Sequence, residues 1–262
     1  MPVRTRGLIL PVLALFSAFT FAFITNEAVH EAGHWLAHRA YGVSVGVVLD
    51  PFGASRIVGA ERSSAPLALT SVAGPAFSVL FSGALFFVLW RWRRSAPAAF
   101  LFMFPVALIQ EGVTFSLGLL TPGGDASHVA AWGIPVPFLA ALGVVLLAAG
   151  VAILGLLLPL AGLSPKDGGR RNLIQIGAAM VGLMLLRFAV SVGLRSGDLV
   201  EATIPLVFSF LLAAATTAVF GPVHRRLDGR SRIDGRMPTA SGASVSLALA
   251  VAVIAVQLSI LN

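Results

Sequence analysis

The stretch from Leu8 to Ile24 is nearly all apolar and continues as one helical pattern to about His38. That is longer than the roughly 20 residues needed to cross a bilayer. Near its far end the same helix reads His30-Glu31-x-x-His34. At helical pitch, residues four apart share a face one turn above one another. The two imidazoles can therefore converge on a single ion while Glu31 lies beside it. The pattern is that of a zinc site with a general base, placed near the exit side of a membrane-spanning helix.

Composition agrees with that placement. Hydrophobic residues make up 57% of the chain and charged residues 11%, with a mean hydropathy of +0.93. This is too little polar surface to cover a soluble globule. The chain is expected to be an all-α polytopic membrane protein, integral and multi-pass, with the cell membrane as its location. About seven transmembrane helices are expected, over the runs Leu8 to His38, Pro66 to Trp90, Ala98 to Leu120, Pro137 to Leu160, Leu173 to Leu194, Leu199 to Phe220 and Ala243 to Leu261. The absence of Cys removes disulfides and thiolate ligands from consideration. The net charge of +7 comes from Arg residues in short loops between apolar runs. That is how topology is set in membranes, and it argues against a nucleic-acid partner. The basic, then apolar N-terminus mimics a signal peptide, but with no clear small-residue cleavage site it is read as retained.

Between the first two runs, Val43, Val45 and Val47 alternate with small residues and are followed by Asp50, Pro51 and Gly53, as in a short β-hairpin. Its edge could hold an unwound substrate by backbone pairing, with Phe52 and Gly53 as contact residues; an ordinary interfacial loop would read the same way. In the second run, Gly74-Pro75 breaks backbone hydrogen bonding locally and lets another helix approach closely. The third run carries Gln110 and Glu111 and ends at Thr121-Pro122-Gly123-Gly124-Asp125, a turn able to fold back into the membrane edge. Catalytic zinc takes three protein ligands plus water, and Asp125, His128 and Glu111 are all candidates for the third. His38, two turns beyond His30, is too far along the helix to share the ion and is placed at the headgroups. Asn26, Glu27, Thr121 and Asp125 crowd the same end, as expected of a wet cavity. A charge in mid-span needs a partner, so Arg187 is expected to pair with Glu111 or Glu27.

These segments resemble the site-2 proteases, intramembrane zinc metalloproteases that cut membrane-spanning segments of other proteins. HEAGHWLAHRAYGVSV is similar to that family's first conserved segment. SVAGPAFS, Ser71 to Ser78, is similar to its G-P-x-x-N helix, and LLTPGGDAS, Leu119 to Ser127, to the loop whose D-G supplies the third zinc ligand. The resemblance implies zinc held by His30, His34 and Asp125, with Glu31 as base. It also implies substrate contacts at Gly74, Pro75 and Ser78. Ser78 stands where the family usually has Asn, and Ala126 where Gly usually follows the ligand. Residues 1–136 would form the catalytic core and residues 137–262 additional transmembrane helices.

The expected activity is hydrolysis of peptide bonds in or near transmembrane segments of a protein partner. Two rival readings are a metal-ion transporter and a protease-like scaffold without activity. Conduction wants polar residues at several depths, whereas here they crowd one end. With seven spans, Arg4, Arg6, Arg91, Arg93, Arg94, Lys166, Arg170, Arg171, Arg225, Arg226, Arg230, Arg232 and Arg236 collect on the N-terminal side, against Arg39, Arg56, Arg62 and Arg195 on the other. That bias makes the N-terminus cytoplasmic and puts the site near the opposite face, the reverse of what the resemblance implies.

Overall fold

Prolines set where the membrane helices begin. Pro66, Pro97 and Pro135 each stand immediately before a helix with φ of −60°, −56° and −59°. Their rings hold the chain in an extended entry conformation without an N–H to satisfy. The computed structural model describes residues 6–49, 55–59, 66–92, 97–120, 124–164, 169–194, 211–222, 248–249 and 251–253. In chain order these form α1 (Arg6–Ala40), β1 (Gly46–Val48), β2 (Arg56–Val58), α2 (Leu67–Trp90), α3 (Ala98–Ser116), α4 (Asp125–Ala131), α5 (Val136–Leu157) and α6 (Gly169–Leu194). A shorter apolar helix, α7, covers Leu211–Pro222.

Four helices among the described residues are long and apolar enough to cross a membrane: Ile9–Ala40, Leu67–Trp90, Ala98–Ser116 and Val136–Ala161. The chain is a membrane protein on this ground. Four such helices, rather than the expected seven, are what the described residues support. The last two expected runs lie largely outside those residues.

The strands form the expected hairpin. β1 and β2 pair antiparallel with Gly46 opposite Val58, Val47 opposite Ile57 and Val48 opposite Arg56. The hairpin follows directly on the end of α1, which is closed by Gly42 at φ +75°. There Gly42 N–H donates to the Arg39 carbonyl (2.9 Å) and Val43 N–H to the His38 carbonyl (3.0 Å). Glycine tolerates this left-handed position, and the two bonds satisfy carbonyls the helix end would otherwise leave open. Phe52 and Gly53 lie outside the described residues.

The core is made where α1, α3 and α5 meet. Leu15, Ala18 and Ala22 of α1, Leu101, Phe102 and Met103 of α3 and Leu154 and Leu157 of α5 are all buried together. Phe19 meets Phe102 edge-on with ring centroids 5.6 Å apart. Glycines let α3 and α5 interlock. A Cβ on Gly112 would stand 2.7 Å from the Leu147 nitrogen, and one on Gly143 2.6 Å from the Ser116 nitrogen. Close approach through small residues is the packing available to helices in lipid, where tails are as apolar as side chains. α5, beyond residue 136, is thereby wedged into α3.

The outward faces are apolar: Leu80, Phe87, Val88, Val144 and Val145 are all exposed. The four Trp and the single Tyr of the chain lie at helix ends: Trp35 and Tyr41 near the end of α1, Trp132 after α4, and Trp90 and Trp92 at the far end of α2. That is the distribution of interfacial aromatic belts.

Candidate metal centre

One turn of α1 places His30 and His34 with their Nε2 atoms 3.0 Å apart. The Oδ2 of Asp125, the first residue of α4, lies 3.1 Å from His30 Nε2 and 3.3 Å from His34 Nε2. Ligand atoms held tetrahedrally at zinc distances of about 2.0–2.1 Å lie about 3.3 Å from one another. The three donors therefore form a triangle of the size of one face of a zinc tetrahedron.

The far sides of both rings are held by acceptors. His34 Nδ1 donates to the backbone carbonyl of Thr70 at 2.6 Å. His30 Nδ1 lies 2.9 Å from Glu111 Oε1. A carbonyl can only accept, so a neutral His34 carries its proton on Nδ1 and turns the Nε2 lone pair toward the triangle. The Glu111 carboxylate asks the same of His30. Lone pairs from two imidazoles and a carboxylate then face one point, an arrangement that a cation satisfies and that histidine ligands usually present.

Glycine makes the geometry reachable. A Cβ on Gly33 would stand 2.5 Å from the Ala73 carbonyl oxygen and 2.9 Å from Gly74 Cα, and one on Gly74 would run into the His34 ring. The α1–α2 crossing is thus close enough for His34 to reach the Thr70 carbonyl at the start of α2. The Gly inside HEAGH and the Gly of Gly74-Pro75 are two halves of one contact.

Glu31 is 5% exposed. His30, Glu31 and His34 each offer a ligand atom, and these lie within 4.8 Å of one another. Glu31 Oε2 has no hydrogen-bond partner among the described residues. Glu31 could itself bind an ion with the two histidines. The His30–His34–Asp125 triangle is tighter, with its donor atoms 3.0, 3.1 and 3.3 Å apart.

Asp125 is carried by α4, which is anchored through Ala126 and Val129 to Phe115 of α3 and Leu139 of α5. Ala126 is fully buried in that contact, so the extra methyl beside the ligand is used to seat α4.

The other candidates sit elsewhere. His128 is turned toward α2, with Nδ1 3.3 Å from Ser71 Oγ, and is no part of the triangle. Glu111 stands behind His30 on the Nδ1 side. Ser78 is fully buried, and its hydroxyl has no partner among the described residues. Asn26 was expected in a wet cavity; it is instead 1% exposed. It ties three helices: Nδ2 donates to the Met103 carbonyl (2.7 Å), and Ser82 Oγ donates to Asn26 Oδ1 (2.6 Å). His38, expected at the headgroups, lies in the last turn of α1 and is covered by protein. Thr121 and the Arg187 side chain lie outside the described residues, so the expected ion pair lies outside them too.

No protein-family description, curated protein or solved structure matches the chain.

Proposed function

We propose that this chain is an intramembrane zinc metalloprotease of the site-2 protease type, hydrolysing peptide bonds in or near transmembrane segments of other proteins. The observation that carries the reading is the triangle of His30 Nε2, His34 Nε2 and Asp125 Oδ2, with sides of 3.0, 3.1 and 3.3 Å. Glu31 stands beside it on the same helix. The protein is taken to be a multi-pass protein of the cell membrane, in keeping with the aromatic belts at both helix ends.

A zinc ion bound there would polarise the scissile carbonyl and acidify water. His30, His34 and Asp125 would hold it and leave one position open to water or substrate. Glu31 would accept a proton from the attacking water and deliver it to the amide nitrogen as the C–N bond breaks, leaving a carboxylate and an amine. The hairpin after α1 presents a strand edge on the side of the motif. An unwound segment could pair with it, since a helical substrate hides its carbonyls in hydrogen bonds.

The test uses the full chain in lipid vesicles with a membrane-spanning substrate of low helix propensity. Glu31→Gln keeps the shape of the side chain and removes the base. Cleavage should fall by at least about 100-fold with zinc content unchanged. Cleavage at the wild-type rate by Glu31→Gln would refute the protease reading.

A further inference from the structure

Glu111 is a carboxylate in the middle of an apolar helix, 2% exposed. The chemistry above does not use it as ligand or base. Burying such a group is costly, and an apolar residue of the same volume would stabilise the helix contact better. Its Oε1 lies 2.9 Å from His30 Nδ1, and its Oε2 has no hydrogen-bond partner among the described residues. The rest of the helix holds it there. Next to it, Gly112 meets α5 so closely that a Cβ would stand 2.7 Å from the Leu147 nitrogen and 2.9 Å from the Gly143 carbonyl oxygen. The position of Glu111 along and around α3 is therefore set by α5, outside the segment that carries the metal motifs.

We infer that Glu111 is a positioning residue for the metal centre: its carboxylate accepts the Nδ1 proton of His30, fixing the tautomer and the ring plane that present Nε2 to the ion. The inference rests on the zinc reading above and assigns a role to a residue outside its three motifs. The negative charge also makes the imidazole a stronger donor to a cation. His34 has only the neutral Thr70 carbonyl in the equivalent place. The two histidines are therefore unequal ligands, and the stronger is the one that Glu111 supports.

The experiment measures zinc affinity of the purified full chain in detergent, by competition with a fluorescent zinc chelator, for wild type, His34→Ala, Glu111→Met and Glu111→Gln. Glu111→Met keeps volume and removes the acceptor. It should weaken zinc binding about 10–100-fold. Glu111→Gln keeps an acceptor without the charge and should recover part of that loss. A folded Glu111→Met protein with wild-type affinity, alongside a His34→Ala protein that has lost zinc, would overturn the role of Glu111 and leave the metal site standing. Wild-type affinity in His34→Ala would remove the metal site and this inference with it. If Glu111→Met does not fold, the cobalt-substituted Glu111→Gln protein decides. A shifted visible absorption band supports the inference, and a band and affinity identical to wild type overturn it.

Discussion

Gly74 leaves His34 the space in which its ring stands: a Cβ on Gly74 would lie 2.6 Å from His34 Cε1. Neither ring nor helix can yield without cost, because His34 is bonded on its other side to the Thr70 carbonyl of the same helix. Gly74→Ala should therefore displace His34 and weaken zinc binding by at least about tenfold, with an overpacking cost of about 1–3 kcal/mol. Zinc titration of the purified variant checks it; wild-type affinity would show that α2 can move aside.

Asp125 and His128 lie one turn apart on α4, and only the first reaches the histidine pair. Asp125→Ala should abolish stoichiometric zinc and cleavage while the protein still folds. His128→Ala should keep its zinc. Metal analysis of both proteins decides, and the reverse pattern would reassign the third ligand.

Asn26 joins α1 to Ser82 of α2 and to the Met103 carbonyl of α3. Asn26→Leu keeps the volume but leaves both partners unsatisfied in an apolar setting. The expected loss is about 1–3 kcal/mol. It should appear as a lower thermal midpoint in detergent, whereas a midpoint equal to wild type would mean that water takes over both bonds.

With α1, α2, α3 and α5 crossing in turn, the segments holding Arg91, Arg93, Arg94 and Lys166 fall on the side of the N-terminus. The segment holding Arg56 and Arg62 falls on the side of the metal site. On that topology the positive-inside bias predicts a cytoplasmic N-terminus and an extracytoplasmic site. Reporter tags at the N-terminus and within residues 60–65 should report opposite sides of the membrane. Reporters found on the same side would mean that α1 does not cross.

Much of the site was legible because it is local. The spacing of His30, Glu31 and His34 along one helix follows from helical pitch, and the apolar runs are a direct record of where lipid must be met. Gly74-Pro75 was legible as a site of close approach, but not that its partner across the crossing is the Gly inside HEAGH. Glu111 stood out as a buried charge. Without knowing which side of His30 it faced, it read as the partner of Arg187, with a role as third ligand a rival. Asn26, expected in a wet cavity, is enclosed by protein inside α1, because a polar residue within a membrane helix reads the same whether water or protein satisfies it.

The sequence alone determined the membrane class, the pair of histidines one turn apart and the glutamate beside them, all properties of short continuous stretches. Tertiary structure decided which side chain completes the triangle and what turns each ring toward it. Those choices join residues separated by 95, 81 and 36 positions, in the pairs His30–Asp125, His30–Glu111 and His34–Thr70. The physical reason is that ring orientation depends on atoms brought within hydrogen-bond distance by helix crossings. Here those crossings are set by the absence of side chains at Gly33, Gly74, Gly112 and Gly143, and a glycine's neighbours across a crossing are not written in the residues on either side of it.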